Sequence, residues 1–160
     1  AVNMITAISM YTLSTAIHVV FVVSFIGPAG AFGVLGPMAK ENPQHATFAL
    51  KVNKKIMETM VFPGVLVVWG TGIYQATDGG FDGDDLWLSI SVALFLYMTI
   101  VAAFVLYPGA KTALSELENQ EAPGPPSEKA QASLKKLGIF GPLQGISLLV
   151  ITFLMVAKPF

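Results

Sequence analysis

The chain has no cysteine among its 160 residues, and its nine basic side chains are all lysine. Without cysteine there is no disulfide framework, thiolate metal site, iron–sulfur cluster or thiol nucleophile. Without arginine there is no guanidinium fork for bidentate recognition of phosphate or carboxylate. Charge itself is scarce. Only 12% of residues are charged, against about 25% in a soluble domain. The net charge is −1 and no basic stripe is present, which argues against nucleic acid as a partner. Histidine occurs only twice. No phosphate loop, metal cluster or nucleophile–base pair stands out. The first residues carry no basic n-region, so a cleavable signal peptide is not expected.

What is present is apolar: 54% of the residues are hydrophobic. Long apolar runs in so uncharged a chain point to an integral membrane protein in contact with the lipid bilayer. Four runs read as membrane helices, over about 5–36, 56–77, 86–107 and 137–157. A bilayer core needs about 20 residues. The first run is longer, so it tilts, projects or kinks, and Pro28 offers a kink. The expected fold is an all-α membrane protein, a four-transmembrane-helix bundle forming one domain over 1–160.

The lysines set the expected orientation. Lys40, Lys51, Lys54 and Lys55 fall in the first loop (37–55), and Lys111, Lys129, Lys135 and Lys136 in the third (108–136). The second loop holds Asp78, Asp82, Asp84 and Asp85 and no lysine; Lys158 stands alone near the end. By the positive-inside rule, loops one and three are cytoplasmic. Both termini and the acidic loop then lie on the outer, periplasmic or extracellular, side. The expected location is the cytoplasmic (inner) membrane of a prokaryote, multi-pass.

Local signals fill in the loops. Asn42-Pro43 reads as an N-cap with proline at the first helical position, opening a cytoplasmic helix. Asp78-Gly79-Gly80 closes span two, and Asp84 or Asp85 caps span three. Ala110 to Gln120 reads as a short helical extension, broken by Ala122-Pro123-Gly124-Pro125-Pro126. Ser127 restarts a helix into span four. The acidic loop lacks the spacing and closing glutamate of an EF-hand. Lys54 and Glu58 form an expected pair at one helical turn.

Gly27, Gly30, Gly33 and Gly36 on span one, with Gly138, Gly141 and Gly145 on span four, predict close packing of those two spans. A glycine-lined slot for lipid or quinone is the sharper alternative. Trp69 and Tyr74 suit the outer interface. Gly70 and Gly72 do not share a helix face, and they allow close approach of a flat ligand or another backbone.

His18 is the one ionisable side chain deep inside an apolar run, which marks a functional site by default. It lies roughly 20 Å along the helix from Ile5, and Gly36 lies about 27 Å further on. His45, in the first loop, therefore cannot share a metal with it within one chain. Three roles stay open for His18. It ligates a haem b iron, with Met98 or Met155 as candidate second ligands and Met60 too near the cytoplasmic side. It hydrogen-bonds Ser14, Thr71, Ser147 or a backbone carbonyl. Or it relays protons or binds a quinone.

The segment Ala16-Ile17-His18-Val19-Val20, the pair Phe62-Pro63-Gly64 and Gly70-Thr71-Gly72, and the terminal Met155-Val156-Ala157-Lys158-Pro159-Phe160 carry a resemblance. The chain resembles a family of uncharacterised bacterial four-helix integral membrane proteins. That family is related to the copper-resistance-D membrane domain and to the small four-helix protoporphyrinogen oxidases. In the oxidases the first-span histidine is a haem b ligand, so the resemblance implies that role for His18. The chain has neither the arginines nor the additional histidines of the oxidases. The resulting expectation is a non-catalytic subunit of a larger respiratory or photosynthetic redox complex, structural or cytochrome b-like. The alternatives are a membrane enzyme of porphyrin or quinone oxidation, and a transporter of copper or another small solute.

Overall fold

The computed structural model describes residues 9–79, 85–120 and 124–159. These form long helices: α1 (Met10–Glu41), α2 (Pro43–Asp78), α3 (Leu86–Glu118) and α4 (Glu128–Ala157). By length and composition α2, α3 and α4 can each cross a membrane, and α1 carries the apolar stretch Met10–Phe25. The chain is a helical membrane protein.

The expected cytoplasmic loops are largely helix. α1 runs to Glu41, α2 begins at Pro43, α3 continues to Glu118, and α4 starts at Glu128 rather than near residue 137. The reason is local. Ala, Leu, Lys and Glu fill these stretches, all good helix formers, so the helices continue past the apolar runs. Ser127 caps α4 as expected, its hydroxyl accepting from the Ala130 amide at 3.2 Å. Asn42 and Asp85 stand at N-cap positions but make no side-chain cap. The start of span one near Ile5, Gly80 and Asp84 lie outside the described residues. Pro28 and Pro37 sit within α1 and Pro142 within α4, and each helix continues through them.

Two prolines do mark an irregularity. Met57–Val61 in α2 and Ala102–Leu106 in α3 are single π turns. Phe62-Pro63-Gly64 and Tyr107-Pro108-Gly109 follow them directly. A helical proline clashes with the carbonyl four residues back. For Pro63 that residue is Thr59, and for Pro108 it is Phe104, each inside its π turn. The widened turn gives the ring room.

Neighbouring helices run antiparallel. Ser14, His18 and Phe25 of α1 meet Gln75, Thr71 and Gly64 of α2. Lys51, Glu58 and Trp69 of α2 meet Glu118, Tyr107 and Thr99 of α3. Met98 and Gly109 of α3 meet Gln144 and Leu137 of α4. α4 also packs on α1 and closes the bundle. At the lysine-bearing end, Leu50, Ala110, Ala113 and Leu114 make a core flanked by Leu117, Leu134 and Leu137.

The glycine expectation needs correction. A Cβ at Gly27, Gly33, Gly36, Gly138, Gly141 or Gly145 would meet nothing within 4 Å. The packing at Gly30 lies outside the described residues. Fully buried small residues lie elsewhere, on α3 and α4: Ala110, Ala113 and Ala130 are 0% exposed. The tight glycines are Gly64 and Gly72 against α1, and to a lesser degree Gly109 against α4.

Candidate functional site: a histidine held between two helices

His18 is half-buried where α1 crosses α2. Its Nδ1 lies 2.8 Å from the Thr71 hydroxyl oxygen. That hydroxyl also lies 2.7 Å from the Val67 carbonyl, one turn back in its own helix. A hydroxyl has one proton to donate. With that proton on the Val67 carbonyl, the Thr71 oxygen accepts from His18 Nδ1–H and the lone pair is left on Nε2; with the proton turned to Nδ1, the roles reverse. A partner on one ring nitrogen that fixes the tautomer is what a metal-ligating histidine needs.

Glycine makes the approach possible. A Cβ on Gly72 would lie 3.3 Å from His18 Cε1. The close approach expected at Gly72 is thus made by the imidazole itself. A Cβ on Gly70 would meet nothing within 4 Å. Gln75 extends the polar seam, its amide donating to Thr71 O at 3.0 Å and reaching Ser14 O at 3.4 Å. Thr15 lies 3.5 Å from Gln75 Oε1.

The seam belongs to a layer that crosses the whole bundle. Trp69, two residues before Thr71, donates its indole N–H to Thr99 of α3 at 3.2 Å. Its ring also packs on Phe95 at 5.1 Å between centroids. It is therefore part of the α2–α3 contact. Beside Thr99, the Met98 carbonyl accepts from Gln144 of α4 at 2.8 Å. One side-chain hydrogen bond thus joins each successive pair of helices near one level. Gln144 Oε1 is buried at this level without a partner among the described residues.

The candidate second ligands fall at different heights. Met98 lies in the His18 layer, next to Thr99. Met155 is eleven residues beyond Gln144 on α4, or about 16 Å further along the bundle. The structure brings Met98 to the level of His18 and leaves Met155 near the end of the bundle. Among the described residues no cluster of three or more His, Cys, Asp or Glu exists that could hold a metal.

A family of predicted integral membrane proteins (DUF2269) matches residues 12–159. The match takes in all four helices and the entire polar layer. The chain belongs to this family. No curated protein and no solved structure matches it.

A second polar group lies toward the lysine end of this family member. Lys54 pairs with Glu58 at 2.9 Å, as its spacing suggests. Tyr107 of α3 adds a hydrogen bond to Glu58 at 2.8 Å and packs edge-on against Phe62 at 5.2 Å. Sequence reasoning missed Tyr107, Gln75 and Gln144. The available signals were two amides inside apolar runs and the repeated aromatic-Pro-Gly step.

Proposed function

We propose that the chain crosses a prokaryotic inner membrane four times, with both termini outside. In this reading it is a small non-catalytic subunit that holds haem b through His18. The observation that carries the proposal is the 2.8 Å contact between His18 Nδ1 and the Thr71 hydroxyl. With Nδ1 donating to Thr71, Nε2 is the basic nitrogen an iron would take. The separation of eight lysines from the aspartates supports the orientation.

The residues present fit such a group in donor chemistry. His18 would hold the iron, and Met98 is the thioether at matching height. When bound, haem supplies one-electron transfer. The chain's own work is positional. Thr71 sets the tautomer, Gly72 lets the ring lie against the α2 backbone, and Gln75 ties the two helices at the same level. The broad exposed apolar surface, including Leu66, Phe104, Phe153 and Val156, suits lipid and neighbouring subunits.

The test is a visible spectrum of protein purified from membranes supplied with haem, oxidised and reduced. Sharp reduced bands in the wild type, abolished in His18→Ala, are expected. A colourless wild-type protein with full helical content contradicts haem binding.

A further inference from the structure

On the outside of the α3–α4 pair, near the lysine end, an open groove of about 290 Å³ runs beside Pro108. Phe104 and Phe140 line one end, and Thr112, Ser133 and Lys136 line the other. An adjoining depression continues past Thr112 to Lys111 and Glu116. Two helices running in opposite directions thus change from aromatic to polar in the same spatial direction. On α3 the order is Phe104, Pro108, Lys111; on α4 it is Phe140, Lys136, Ser133.

That gradient selects an amphiphile. Lys111 and Lys136 have no ion-pair partner among the described residues. Glu116, at the far polar end, already accepts from the Ser127 hydroxyl at 2.7 Å. Thr112 and Ser133 add hydroxyls to the polar end of the lining. Basic pockets between membrane helices on the cytoplasmic side take anionic lipid head groups. The groove lies beside the π turn Ala102–Leu106 and the Pro108 ring.

We propose that this groove binds an anionic phospholipid of the inner leaflet. Its phosphodiester lies between Lys111 and Lys136, and its acyl chains follow Phe104 and Phe140. The inference rests on the bundle lying in the bilayer with its lysine end inward. It is independent of haem at His18.

The experiment uses the full chain, delipidated in neutral detergent and titrated with phosphatidylglycerol or phosphatidylcholine. Bound lipid is counted by native mass spectrometry. Phosphatidylglycerol should be retained about tenfold better. Lys111→Gln with Lys136→Gln should abolish that preference, while Lys129→Gln with Lys135→Gln should keep it. Thr112→Phe, which blocks the groove without changing charge, should also abolish it. Helical content measured by circular dichroism confirms that each variant is folded. Equal retention of the two lipids overturns the proposal. So does equal loss in both lysine pairs, which marks diffuse charge, or unchanged binding in Thr112→Phe. Full displacement of the lipid by inorganic phosphate marks a free-phosphate site and overturns it too.

Discussion

Gly64 and Gly33 show how differently one residue type is used at single positions. A Cβ on Gly64 would stand 2.8 Å from the Phe25 ring, with Phe21 at 3.4 Å closing one way out. Gly64→Ala should therefore destabilise the protein by about 1–3 kcal/mol. Gly33 has open space, and alanine is the better helix former by up to about 1 kcal/mol. Gly33→Ala should be neutral or stabilising. Thermal unfolding in detergent measures both, and equal effects would refute the packing described. At Thr71, valine keeps the shape and removes the hydroxyl that meets His18. Thr71→Val should cost about 1 kcal/mol, with Thr71→Ser close to wild type in the same assay. His18 and Thr71 were legible because an imidazole inside an apolar run demands a partner. Which glycines are tight was not legible, because a stripe on one helix does not say which face its neighbour covers.

At the scale of elements, the helices were legible from apolar length and their ends were not. Hydropathy reports where lipid stops, while helix propensity carries α2, α3 and α4 beyond that point. The π turns were hidden for a different reason. Past their first residues these helices hold five prolines, and only Pro63 and Pro108 follow a widened turn, so proline alone is not the signal. Near those turns α2 and α3 are tied by Tyr107 and Glu58. A double-mutant cycle with Tyr107→Phe and Glu58→Gln should give a coupling of about 0.5–1.5 kcal/mol. Strictly additive losses would show that the contact does not hold the helices together. At the start of α4, Ser127→Ala should cost about 1 kcal/mol through the lost cap, read as a lower unfolding midpoint.

At the scale of the molecule, a bundle with few buried side chains and a broad apolar exterior is a membrane solution to the folding problem. The three long apolar helices each have an 18-residue window only 17% buried. Lipid replaces the missing core, and polar links at a common level fix the register that hydrophobic packing alone leaves free. The lysine distribution gives the orientation a direct test, since the chain has no cysteine of its own. In intact cells an impermeant thiol reagent should label Asp78→Cys and spare Lys55→Cys and Lys129→Cys. The reverse pattern would invert the bundle.

The proposed role of His18 turns on one proton. Nitrogen-15 magnetic resonance of haem-free protein in lipid, labelled at histidine and compared with His45→Gln to assign the signal, reads the tautomer of His18. Protonated Nδ1 and bare Nε2 are predicted, with the pattern lost in Thr71→Val. A proton on Nε2, with Nδ1 accepting from Thr71, would contradict the reading of His18 as a ligand held ready for iron.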